Sequence, residues 1–286
     1  MMRRRWLITG CSSGLGYALA SAAARAGDLL AVTARKSADL EDLAAAWPGR
    51  IVPVPLELRN PASCENAVRT AADRLGGIDV LVNNAAAGLF GAVEEVSDAE
   101  LRDQLDILLV GPWRLTRLVL PLMRAQGHGH ILNVSSIAGR MAFPGLGAYV
   151  AGKHALDGMS QALAAEAAPH NIRVTVLEPG GFATRYGTSL ARAAHRVPAY
   201  DTTNAPMLEA TRGLAGNPDA GSPEDFAAHV LDIVTADAPT PLRIPVGDDA
   251  YDFLGHAQQT ANAELAEARA LTRRTPPPGE TRPQDT

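Results

Sequence analysis

The chain has only two cysteines in 286 residues, Cys11 and Cys64, and their spacing matches no metal-binding pattern and gives little reason to expect a disulfide. No uninterrupted apolar run approaches the ~20 residues needed to cross a bilayer. The start, MMRRRWLITG, is basic but too short in apolar residues for a secretory leader. Basic runs are also missing beyond residues 3–5, and a net charge of −5 leaves no footprint for nucleic acid or an anionic membrane. These absences exclude the membrane and nucleic-acid classes and make a reduced, cytoplasmic protein the expectation. What is present is a 47% hydrophobic, 20% charged composition, that of a globular protein with a sizeable core.

Short apolar runs alternate with longer Ala- and Leu-rich stretches. Residues 6–9, 29–33, 51–56, 78–82, 130–134, 172–177 and 242–246 are short, largely β-branched or Leu, and bounded by Gly, Pro or Asn, which predicts buried strands. Residues 15–26, 38–47, 62–75, 98–123 and 149–168 have helical spacing. This order predicts an α/β fold: one doubly wound, seven-stranded parallel sheet with helices on both faces, in a single domain of residues 1–271. Residues 185–222 break the alternation, containing no strand pattern, and are expected to form a substrate lid with helical pieces. Residues 272–286, TRRTPPPGETRPQDT, have nothing apolar to bury and are expected to be disordered.

Directly after the first strand comes Thr9-Gly10-Cys11-Ser12-Ser13-Gly14-Leu15-Gly16, opening into a helix. Glycines there allow a tight turn and a close approach of backbone to a pyrophosphate facing the helix N-terminus. At the end of the second strand Ala34 stands where an NAD-selective fold carries an acid, and Arg35 and Lys36 follow. NADP(H) is therefore expected in preference to NAD(H), the cations meeting its 2′-phosphate. Taken singly, these features also describe an ordinary βα turn and two solvated charges.

Tyr149 and Lys153 are spaced i, i+4 on a predicted helix, with Ser136 thirteen residues before the tyrosine. That spacing puts phenol and ammonium on one face, where the cation favours the charged phenol. A free phenol titrates near ~10, and such a neighbour brings it toward neutrality, as proton transfer requires. A Tyr-x-x-x-Lys pair alone is also a common packed aromatic beside a solvated base, so its weight depends on its company.

That company is specific. With TGCSSGLG, NNAA at residues 83–86, Ser136, YVAGK and EPGGFAT in this order, the chain resembles the short-chain dehydrogenase/reductase family over roughly residues 3–250. The resemblance implies a Rossmann-type, nicotinamide-dependent oxidoreductase in which Tyr149 exchanges a proton with the substrate oxygen. Ser136 would hold that oxygen, and Lys153 would bind the nicotinamide ribose while lowering the Tyr149 pKa. It further implies that Pro179, Gly180, Phe182 and Thr184 border the nicotinamide. Asn83 would steady the fourth strand, Asn84, Ala85 and Ala86 would line the nucleotide, and Glu57 with Leu58 would meet the adenine. The long helices 98–123 and 149–168 would pack against partner copies in a homodimer or homotetramer.

Four positions depart from the family pattern. Leu108 stands where an Asn organises a water behind the lysine, so a side-chain-held proton relay is missing. Ala86 replaces a glycine, an unfavourable change if that position needs a positive φ. Glu57 replaces an Asp, and Gly152 replaces a Ser just before Lys153. The pocket candidates Ala87, Leu89, Phe90, Met141, Phe143, Phe182, Tyr186 and Met207 are largely apolar, which points to a hydrophobic or aromatic ketone, aldehyde or alcohol. Against the reductase stand a cofactor-binding relative with little or no turnover, motivated by Leu108 and Ala86, and a non-redox enzyme on the same fold.

Overall fold

The computed structural model describes residues 3–236, 238 and 240–272. Its first half alternates β1 (Arg5–Ile8), α1 (Gly14–Arg25), β2 (Leu29–Ala34), α2 (Glu41–Ala46), β3 (Ile51–Pro55), α3 (Pro61–Leu75) and β4 (Val80–Asn83). A two-residue strand β5 (Leu89–Phe90) then precedes α4 (Asp98–Leu105) and α5 (Gly111–Gln126). The chain continues through β6 (Gly129–Val134), α6 (Gly147–Ala167), β7 (Ile172–Pro179), β8 (Ala191–Arg192), α7 (Asp201–Gly213), α8 (Pro223–Thr235), β9 (Arg243–Val246) and α9 (Asp248–Thr272). Local chemistry sets several of these ends. The Asn60 side chain accepts from Ser63 N at the start of α3, with Pro61 in its first turn, and Gly76 closes it in the left-handed conformation. Ser97 and Glu100 form a capping box on α4.

Seven strands form one sheet in the order β3-β2-β1-β4-β6-β7-β9, and every neighbouring pair is parallel. The period-two alternation of a strand lets this one sheet feed two cores. Trp6 and Ile8 pack with residues of α1, α2 and α8 on one face, and Leu7 with residues of α3, α5 and α6 on the other. The Trp6 indole N–H donates to Asp28 Oδ2 at 2.8 Å, which satisfies it inside the core. The strand order reverses between β1 and β4, and the crevice beyond the carboxyl ends at such a point is where this architecture binds ligands.

Each predicted strand lies within two residues of an observed one, and four other readings need correction. The helix expected over residues 98–123 is broken by a π turn at Asp106–Val110, where the Gly111 N–H reaches back to Asp106 O. Pro112 explains the break: it has no N–H to give to the Leu108 carbonyl, so a regular ladder cannot pass. Residues 185–222 do contain a strand, since β8 pairs with β5; two residues carry too little pattern to read. The helices α8 and α9 were not anticipated, although Ser222, whose side chain accepts from Asp225 N, marks the start of α8. Thr272 ends α9 rather than beginning a tail, and residues 273–286 lie outside the described residues.

Candidate active site

A cavity of about 780 Å³ runs along the carboxyl ends of β1, β2, β3, β4, β6 and β7. At one end the turn after β1 forms a cradle. Gly10 has φ +74°, and a Cβ there would fall 2.8 Å from Ala85 Cα; one on Gly16 would fall 2.3 Å from Gly10 O. Ser13 caps α1 without a side-chain hydrogen bond, and the first turn holds no acid, so the positive end of the helix has no internal anion. Ser12, Ser13, Gly14 and Leu15 line the cavity. Thr9 and Gly16 do not; they build the turn from beneath. Thr9 Oγ1 accepts from Asn84 N and Ala85 N, each at 2.9 Å, while the Asn84 amide donates to Thr9 O at 2.8 Å.

Beyond β2, Arg35 reaches the rim of the cavity whereas Lys36 is exposed and outside its lining. Glu57 Oε1 accepts from Arg59 N and from the Arg59 guanidinium, both at 3.1 Å, and Arg59 also pairs with Asp103. Leu58, Ala85, Ala86 and Ala87 complete this wall. Among the described residues Asn171 is the one non-glycine with positive φ, so Ala86 stands in place of a glycine without backbone strain. Asn83 lies deeper, its amide donating to Asn133 Oδ1 at 2.8 Å and tying β4 to β6.

Ser136, Tyr149 and Lys153 meet the cavity past this wall. Ser136 follows β6 in extended backbone, and its Oγ accepts from Ala138 N at 3.1 Å, leaving its proton free to donate. Tyr149 and Lys153 stand one turn apart on α6, both buried. The Lys153 ammonium donates to Val134 O at 2.7 Å and lies 5.7 Å from the centre of the Tyr149 ring. Burial lowers the Lys153 pKa to about 7. The expected lowering of Tyr149 is reversed: burial raises its phenol and outweighs the Ser136 and Tyr186 hydroxyls, which favour the phenolate.

Leu108 is fully buried behind this group, and Gly152 is its partner. A Cβ at 152 would fall 2.8 Å from Leu108 Cδ1 and 2.9 Å from its Cβ. The two departures noted in the sequence are therefore one: the missing side chain on α6 lets the π turn and Leu108 close onto it.

The far end of the cavity follows β7. Gly180 N donates to Val246 O at 3.1 Å, and Gly181 N donates to Asp249 Oδ2 at 2.6 Å, so the first turn of α9 holds the Pro179–Gly181 segment. Phe182 is buried edge-on against Phe226, with centroids 5.8 Å apart, and borders the cavity beside Thr184. Phe143, Tyr186 and Met207 line this end. Phe90 and Leu89 sit in the small β5–β8 sheet, and neither they nor Met141 line the cavity.

Known proteins share this sequence family and this fold. Residues 4–194 match the sequence model of the short chain dehydrogenase family. The chain belongs to that family. It is 36% identical over 272 residues to the oxidoreductase BOA17 of Botryotinia fuckeliana (strain B05.10), covering 95% of this chain and 98% of that one. A solved short-chain dehydrogenase from Streptomyces avermitilis superposes with a TM-score of 0.87 at 40% identity, covering 95% of this chain and 98% of its own. An alcohol dehydrogenase from Thermococcus sibiricus, complexed with 5-hydroxy-NADP, gives a TM-score of 0.70 at 26% identity over 85% of this chain and 96% of that one.

This short-chain dehydrogenase thus carries the Rossmann-like fold of an NAD(P)-binding oxidoreductase, and the cradle fits such a cofactor: glycines where a Cβ would intrude, an uncapped helix end and a guanidinium at the rim. Several lining residues carried no local signal. Asp249, Phe253, Thr211 and Leu214 come from α9, α7 and the turn after it, far from any motif. Arg59 had one weak signal, a cation two residues past the expected adenine contact.

Proposed function

We propose that this dehydrogenase interconverts a ketone or aldehyde and its alcohol, with NADP(H) as hydride carrier and Tyr149 as acid and base. The observation that carries the reading is convergence: Ser136, Tyr149 and Lys153 border the same cavity as the glycine cradle. Ser12, Ser13, Gly14 and Leu15 would hold the pyrophosphate, Arg35 the 2′-phosphate, and Pro179, Gly180, Phe182 and Thr184 the nicotinamide end. When bound, the nicotinamide supplies or takes up the hydride. Ala34 has no carboxylate to offer a ribose 2′-hydroxyl, which favours NADP(H).

In reduction, Tyr149 gives its hydroxyl proton to the oxygen that was the carbonyl, and in oxidation it takes that proton back. Ser136 Oγ, with its proton free, donates to the same oxygen and fixes it. Lys153 binds the ribose and, when protonated, adds positive charge beside the phenol. Phe143, Tyr186 and Met207 favour an apolar substrate. Residues 185–222 act as the lid, several of them bordering the cavity; cofactor with substrate should suppress limited proteolysis there. Trp113, 55% exposed on α5, favours a homodimer or homotetramer. The two buried free thiols suit a reducing cytoplasm.

A second reading, a relative that binds cofactor but turns over little, is favoured by one observation, the apolar Leu108 packed on Gly152 behind the site. Loss of NADPH absorbance with a panel of aldehydes and ketones separates the two. Turnover of at least one carbonyl compound is expected. Tight NADPH binding with no turnover across the panel would decide for the second reading.

A further inference from the structure

Tyr186 follows the Pro179–Thr184 segment, and its phenol enters the cavity next to Tyr149. The ring centroids are 5.5 Å apart at a tilt of 49°. The Tyr186 hydroxyl is buried and has no hydrogen-bond partner among the described residues, an arrangement that carries a desolvation penalty unless something meets it during the reaction. Its position is fixed from three sides. The ring lies on Gly88, where a Cβ would fall 2.5 Å from the Tyr186 hydroxyl and 2.3 Å from Leu190. Tyr186 N donates to Thr184 Oγ1 at 3.3 Å, and Ser189 Oγ donates to Tyr186 O at 3.0 Å.

Around Tyr149 the groups able to act on its hydroxyl are Ser136 from the β6 end, Lys153 from its own helix and Tyr186. Ser136 is committed to the substrate oxygen on the reading proposed above. Lys153 is tethered to Val134 O. We propose that Tyr186 is a positioning residue for Tyr149: its hydroxyl donates a hydrogen bond to the Tyr149 phenolate oxygen whenever Tyr149 has given its proton to the substrate. The proton of Tyr149 goes to the substrate oxygen, and Tyr186 keeps its own. No bond to Tyr186 is made or broken except that hydrogen bond. The titration directions agree with this division, since Tyr186 favours the Tyr149 phenolate while burial and Tyr149 hold Tyr186 itself well above an ordinary phenol. A charge-assisted bond inside a dry cavity is among the stronger ones available to a hydroxyl.

The proposal rests on Tyr149 being the acid and base, and its test is arranged to survive the failure of that reading. The five tyrosines are replaced with 3-fluorotyrosine, which acidifies the phenols, and each is followed by ¹⁹F NMR against pH, with Tyr149→Phe assigning its resonance. In Tyr186→Phe the Tyr149 titration is expected to move up by about one unit, roughly tenfold less phenolate at a given pH. Gly88→Ala displaces the Tyr186 hydroxyl without deleting it and should shift Tyr149 in the same direction. With any carbonyl or alcohol found in the substrate panel, the pH profile of kcat/KM moves with the resonance. A Tyr149 titration unchanged in both variants overturns the proposal. A shifted resonance in a protein with no turnover keeps the hydrogen bond from Tyr186 to the Tyr149 phenolate and overturns its part in a redox reaction.

Discussion

The proposed nucleotide end of the cavity is built around a glycine turn, whereas its proposed substrate end is walled by side chains drawn from four separate segments. At the first, Gly10 turns through a positive φ, Ser13 leaves a helix end uncapped, and Thr9 pins the residues after β4 from below. At the second, Phe143 precedes α6, Tyr186 follows β7, Met207 lies on α7 and Phe253 on α9. The contrast separates two kinds of constraint. The first end follows from how strands and helices join, and a change there disturbs the fold. The second follows from which side chains happen to face inward, and it can vary while the fold stands.

Tyr149, at the join of the two ends, gives the largest expected effect. Tyr149→Phe should lower turnover by about a thousandfold, within the range for a general acid, and leave NADPH affinity unchanged. A matching loss of affinity would mean that the two ends are not separable. At the nucleotide end, Arg35→Ala should weaken NADPH by roughly ten- to a hundredfold, the value of a charge-assisted bond or two, and leave NADH nearly unaffected. Equal losses in fluorescence titrations would remove Arg35 as the 2′-phosphate ligand.

Lys153 tests the join through pH. Its folded value, about 7, lies below the ordinary 10.5. Between them the unfolded chain binds a proton that the folded chain does not, so stability rises with pH across that window. Below about 7 the penalty of burying the charge is felt in full. Urea melts should show wild type gaining on Lys153→Met, on the order of a few kcal/mol, between pH 7 and 10. A constant difference would place the charge in solvent instead. The smallest effect concerns Gly152→Ser, whose new Cβ meets Leu108. It should destabilise by about 1–3 kcal/mol, and by less in a Leu108→Ala background, where only the contact with the Cβ at 108 remains. Additive losses would mean that the two positions are independent.

The sheet and the cradle were legible because their signals are local: a strand, a glycine turn and a helix follow one another within residues 5–25. Tyr149 and Lys153 were legible for the same reason, one helical turn apart. Asp249 was not, since nothing in the sequence links it to Gly181 before β9 lies beside β7. The direction of the Tyr149 shift was misjudged because helical spacing reports proximity and says nothing of burial, and burial wins here. Gly152 read as a mild change on its own; only packing couples it to Leu108.

The 25 residues of α9 span about 37 Å, and past Leu254 nearly every one of them is exposed. Ala250 and Leu254 are anchored in the core, while Asp249, just before them, grips the Gly181 N–H at the cavity. In mechanical terms the helix is a lever with its fulcrum one turn from the active site. A force on the long arm, from a neighbouring molecule or a fused tag, bears through a single carboxylate on the loop that lines the cavity after β7.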